Sequence, residues 1–90
     1  MLLTMTPSPV IELNRAVAVG MAADPAAGLE LIDALVPRLG DYAPLFAARA
    51  DLLRRSGAAD EARVAYEAAI QRTSNDAERH YLEGRLNELK

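Results

Sequence analysis

Displaced by 34 residues, this chain lies on itself without a gap, so that LNRAVAVGMAADPAAGLELIDAL falls on AARADLLRRSGAADEARVAYEAA. Arg15 meets Arg49, Ala16 meets Ala50, Val19 meets Leu53, Gly28 meets Ala62, Ile32 meets Tyr66 and Leu35 meets Ala69. No other feature of the sequence limits the fold as tightly. A short segment written twice cannot bury its apolar face alone and has to stack on its copy. The second copy, Tyr42 to Ser74, shows what the unit is. Leu45, Phe46, Ala50 and Leu53 recur at three- and four-residue steps, which places them on one side of a helix. Ser56-Gly57-Ala58-Ala59 is the turn. Gly57 suits a left-handed position just past a helix end, and Arg54 and Arg55 lie where the helix dipole favours cations. Asp60 and Glu61 then open a second helix whose apolar stripe is Ala62, Tyr66, Ala69 and Ile70. Ala62 lets the two helices approach closely, and Phe46 and Tyr66 fill the wider end of the wedge.

Thirty-four residues is the tetratricopeptide period of about two helices per unit. Phe46, Ala50, Leu53, Gly57, Ala62, Tyr66 and Ala69 fall at that repeat's bulky, small, bulky, turn, small, aromatic and small positions. Ser74 stands at the final proline position, Arg49 at the usual leucine, and Glu12 replaces a bulky residue in the first unit. The expected fold is all-α, an α-α superhelix of two tetratricopeptide-like helix hairpins plus a C-terminal capping helix. It forms a single domain over residues 1–90, with repeat one at about 8–40, repeat two at about 42–74 and the capping helix at about 75–89.

The punctuation agrees with this division. Pro7 and Pro9 bias their predecessors away from helix, Ser8 serves as an N-cap, and Pro9 takes the first helical position. Helix one runs from about Pro9 to Ala22. Val10, Leu13, Val17 and Met21 form one apolar row and Ala16, Val19 and Ala23 another, so this helix needs cover on two sides. Asp24 and Pro25 restart the chain, and helix two runs to about Val36 with Leu29, Ile32 and Leu35 inward, ended by Pro37 and Gly40. Asn75-Asp76-Ala77-Glu78 resembles a capping box for the last helix. Tyr81, Leu82, Arg85, Leu86 and Leu89 give that helix a narrow apolar row, with Arg79, Glu83, Asn87 and Glu88 outside.

Ninety residues at 51% apolar content, with one Phe and no Trp, is helical-bundle composition. The net charge of −3 interleaves both signs and leaves no basic stripe for phosphates, so direct nucleic-acid binding by this segment is not expected. Without cysteine there is no disulfide framework or thiolate metal site, which is compatible with a reducing cytoplasm. Met1-Leu2-Leu3-Thr4-Met5 lacks a basic region and is too short for a signal peptide or a span. The chain opens directly onto a helix pair and reads as a piece of something longer. No phosphate loop, HExxH or calcium loop occurs, and His80, the single histidine, has no motif partner. The carboxylates at Asp60, Glu61, Asp76 and Glu78 are accounted for by helix starts. No catalytic residue, cofactor site or metal site is expected, and the chain is read as a non-enzyme.

Stacked units line a concave groove with their first helices. On this assignment Leu13, Val17, Gly20 and Met21 of unit one and Ala47, Asp51, Arg54 and Arg55 of unit two face that groove. The candidate contact residues are Leu13, Val17, Met21, Asp51, Arg54 and Arg55. An exposed apolar set of this kind would mark a docking surface; against that stands packing of Leu13 and Val17 on neighbouring helices, with the arginines as solvated helix-end charges. Arg15 and Arg49, at equivalent positions, suit either a clamp on a partner's carboxylate or a tie between units.

At PSPVIELNRAVAV, Pro7 to Val19, followed by ARADLLRRSGAADEARVAYEAAI, the chain resembles the C-terminal extension of a subgroup of bacterial extracytoplasmic-function RNA polymerase sigma factors. The resemblance covers nearly the whole chain. It implies a tetratricopeptide-like domain that follows the polymerase- and promoter-binding regions, which are absent here. It further implies regulation of transcription initiation through protein contacts, with sigma regions of the parent chain, RNA polymerase or a regulator as partner. The alternatives from other classes are a self-associating module forming a homodimer and a small-molecule sensor using the groove.

Overall fold

A computed structural model describes residues 9–89, and among them it contains five helices and no strand. They are α1 (Pro9–Ala22), α2 (Pro25–Leu39), α3 (Ala43–Arg55), α4 (Ala59–Arg72) and α5 (Asp76–Glu88). The most extensive contacts join α1 to α2 and α3 to α4; α2 then meets α3, α5 meets α4, and α3 also reaches α1. The molecule measures 51 × 30 × 20 Å with a radius of gyration of 13.5 Å. A compact sphere of this length would have about 12 Å, so the helices are laid out along one axis.

Local chemistry sets the ends. Asp24 has extended backbone and its Oδ1 accepts from the N–H of Ala26 at 3.1 Å, with Pro25 first in the helix. Gly57 has φ of +89°, the Ala58 N–H reaches the Leu53 carbonyl at 2.9 Å, and the Gly57 N–H reaches that of Arg54 at 3.1 Å. Those two bonds make a Schellman ending that satisfies the last carbonyls of α3. At α5 the box closes on one side only. Asn75 accepts from the Glu78 N–H at 2.9 Å, whereas the Glu78 carboxylate takes the Thr73 hydroxyl at 2.5 Å in place of the Asn75 amide. Ser8, the expected cap of α1, lies outside the described residues.

Helix α2 departs from the sequence reading. It continues through Pro37 to Leu39 instead of stopping at Val36. Proline forfeits one intrahelical bond, here one turn from the end, and the extra turn brings Leu39 against the core.

Two apolar clusters meet along α3. Leu45 and Leu52 face Leu13, Ala16, Ile32 and Leu35, while Ala50 and Leu53 face Ala62, Tyr66 and Ala69. Leu29 and Phe46 touch both clusters, which makes the interior continuous. Small residues fix the crossings. A Cβ on Gly28 would lie 2.7 Å from the Gly20 Cα and 2.9 Å from the Ala16 carbonyl oxygen, so α1 and α2 meet backbone to backbone. Ala62 is fully buried at the equivalent place in the second hairpin. Helix α5 buries one side chain fully, Leu82, a gain of about 1.5–3 kcal/mol, and polar ties add to it. Arg79, expected outside, is half-buried and donates to the Thr73 carbonyl at 2.9 Å, and Arg63 of α4 donates to the Leu89 carbonyl at 3.2 Å.

Candidate functional site

The six candidate contact residues separate into three environments. Leu13 is 3% exposed and belongs to the interior, packed with Ile32, Leu35, Leu45 and Leu52. This corrects its expected place on an open groove: α3 leans over α1, and a Cβ on Gly20 would lie 2.7 Å from the Leu52 side chain. Val17 is half-buried against the same cluster. Met21, one turn further, is 46% exposed. The apolar row thus runs from core to solvent and is not one flank.

Asp51 and Arg54 are joined through Tyr66. The Tyr66 hydroxyl donates to Asp51 Oδ1 at 2.5 Å and accepts from Arg54 Nε at 3.2 Å, and Arg54 Nη2 lies 3.9 Å from Asp51 Oδ1. Tyr66 has no exposed surface. Burial, and then its bond to the Asp51 carboxylate, pushes its pKa up to about 12. The phenol stays protonated at neutral pH and acts as a fixed donor, not as an acid or base. Arg55 is exposed at the end of α3. The charged half of the candidate set is therefore a structural network with solvent on one side, plus one exposed helix-end cation.

Two grooves open on the other side of the helices. One, of about 400 Å³, is bordered by Asp33, Val36, Phe46, Arg49, Val64 and Ala68. Arg49 Nε donates to Asp33 Oδ1 at 2.9 Å, which ties α3 to α2. The Arg72 guanidinium lies 4.3 Å over the Phe46 ring and its Nε donates to the Gly40 carbonyl at 2.9 Å. The second groove, of about 170 Å³ between α1 and α2, is lined by Glu12, Arg15, Leu31, Ala34, Leu35 and Arg38. Arg38 Nη2 donates to Glu12 Oε2 at 2.7 Å across it. Sequence reasoning did not single these grooves out, although the 34-residue displacement carries part of one onto the other: Glu12 onto Phe46, Arg15 onto Arg49, Leu31 onto Ala65 and Ala34 onto Ala68, with Arg38 falling on Arg72, which lies over the Phe46 ring.

His80 is exposed, and no group of three or more His, Asp or Glu side chains that could hold a metal ion occurs among the described residues. Nor is any described helix long and apolar enough to cross a membrane. The chain is similar to an uncharacterized protein of Rhizobium meliloti (strain 1021), 40% identical over 85 residues that make up 94% of this chain and 20% of that protein. It thus spans about a fifth of the length of the curated relative it matches. No family model matches the chain, and no solved structure matches it.

Proposed function

We propose that this chain is a non-catalytic, tetratricopeptide-like interaction domain that regulates an extracytoplasmic-function sigma factor through protein contacts in the cytoplasm. The observation that carries the repeat is the matched pair of grooves. Arg38 against Glu12 and Arg72 against Phe46 are the same contact, 34 residues apart, made with different chemistry. Gly28, where α1 and α2 meet backbone to backbone, and Ala62, fully buried in the second hairpin, are likewise 34 apart. Helix α5 closes the far end as a polar cap, which a stack of repeats requires. The transcriptional role is supported by the PSPV–LNRAVAV resemblance and by a net charge that does not favour phosphate binding.

Burial narrows the contact surface to residues that a partner can reach, Met21 and Arg55 among the original candidates. The test is reconstituted transcription with the sigma factor that carries this domain. Met21→Asp combined with Arg55→Glu should change promoter-dependent output several-fold while the melting temperature holds. Unchanged output and unchanged polymerase association in the folded variant would retire the regulatory reading.

A further inference from the structure

From the groove between α1 and α2 we infer that the outer face of the first hairpin receives an amphipathic helix of a partner protein, docked as α2 docks on α3, with a partner carboxylate on Arg15. The inference rests on the repeated hairpin and not on the transcriptional role.

The molecule contains its own template for this contact. On α3, Leu45 is fully buried, and Arg49 is held by Asp33 of α2 at 2.9 Å. The residues 34 positions earlier are exposed. Ile11 is 50% exposed where Leu45 is 0%, and Leu31 is 46% exposed where Ala65 is 2%. The Arg15 guanidinium is exposed and has neither ion pair nor hydrogen bond among the described residues. Leu31 lines a groove with an uncommitted cation at its rim, Ile11 lies one turn before that cation on α1, and each of the three has a satisfied twin.

The twin also specifies the occupant. Helix α2 presents Leu29 and Ile32, then Asp33, then Val36, an aliphatic, carboxylate, aliphatic order at helical spacing. A helix carrying that order would cover Ile11 and Leu31 and place its acid on Arg15. A second copy fits less well. Paired about a two-fold axis on this face it sets one Arg15 against the other, and its own Asp33 is already taken by Arg49.

The probe is a hydrocarbon-stapled, fluorescent peptide with the sequence of residues 25–39, stapled because an isolated helix of that length is marginal in water. Binding to the full 90-residue chain is followed by anisotropy. Saturable binding is expected. Arg15→Asp or Ile11→Asp should weaken it about tenfold, a peptide with Asp33→Arg should recover affinity for the Arg15→Asp chain, and Arg49→Asp should leave it unchanged. All three sites are solvent-accessible, and melting curves check that each variant folds. No binding, or loss that follows Arg49 instead of Arg15 because the peptide displaces α2, overturns the inference. So does concentration-dependent self-association of the chain that Ile11→Asp abolishes. None of these readouts involves transcription, so this proposal and the regulatory one fail separately.

Discussion

The two hairpins share a set of contacts and differ in what fills them. At the centre of the first lie Val17, Gly20 and Ile32; the same three places in the second are Asp51, Arg54 and Tyr66. The first trio is uncharged, and a side chain on Gly20 would meet Leu52 of α3, which occupies that space. The second trio is a hydrogen-bonded polar network around a buried phenol. At the crossing the first hairpin carries a glycine pair, backbone to backbone, and the second the fully buried Ala62. What these positions share is therefore their place along the paired helices, and side-chain chemistry is free to change wherever the volume can be balanced.

That comparison breaks most visibly at its two anchors. Ile32 and Tyr66 are both fully buried. Ile32→Ala should cost about 2–5 kcal/mol and Tyr66→Ala about 3–5 kcal/mol, against a total of about 5–10 kcal/mol for a domain of this size. Urea unfolding should place both variants near the edge of folding. If either cost less than about 1 kcal/mol, the two residues would not be equivalent keystones.

Exchange of the crossing residues sharpens the contrast. Gly28→Ala drives a methyl group into the Gly20 and Ala16 backbone, which cannot rotate away, so a loss of about 1–3 kcal/mol is expected despite the better helix former. Ala62→Gly opens no clash and should cost about 1 kcal/mol. Thermal melts resolve this, since 1 kcal/mol shifts a domain of this size by about 4–8 °C. A stabilised Gly28→Ala chain would show that the first crossing is looser than the geometry says.

The central trios differ in their response to alkali. Tyr66 ionises at about 12 in the folded chain against 10.0 for a free phenol. Its contribution is whole below pH 10. As pH rises toward 12 the unfolded chain ionises first, and stability falls by up to about 3 kcal/mol. Tyr66→Phe should cost about 1–2 kcal/mol at neutral pH for the lost hydroxyl and should flatten that alkaline decline. Parallel declines in the two proteins would remove Tyr66 as its source.

Much of this architecture was legible in the sequence because it depends on local rules. Asp24-Pro25, Gly57 and Asn75 act on their immediate neighbours, and the structure places the helix boundaries beside them. Pro37 misled because its penalty is local, whereas the burial of Leu39 that outweighs it is tertiary. Leu13 misled for a related reason. Periodicity assigns it to a face, but only the lean of α3, permitted by Gly20, decides that this face is covered. The network of Asp51, Arg54 and Tyr66 was hidden because its members lie 3 and 12 or more residues apart on two helices. The signal that could have found the outer groove was present in the repeated arginine, whose twin had to be seen paired before its own lack of a partner carried meaning.

The smallest expected effect isolates that pair of arginines. The Arg49 side chain is 27% exposed and bonded to Asp33, itself 53% exposed, so screening by water keeps the bridge weak. Arg49→Ala should cost about 0.5–1 kcal/mol at low salt and less at 1 M salt, where the Debye length falls to about 3 Å. Arg15→Ala removes no ion pair among the described residues and should change stability by less than about 0.5 kcal/mol at any salt concentration. A double-mutant cycle of Arg49→Ala with Asp33→Ala, repeated with Arg15→Ala in place of Arg49→Ala, checks the assignment: coupling belongs to the first pair and not to the second. Equal coupling in both cycles would mean that Arg15 already has a use within the chain, and the two faces would no longer differ in the way their burial indicates.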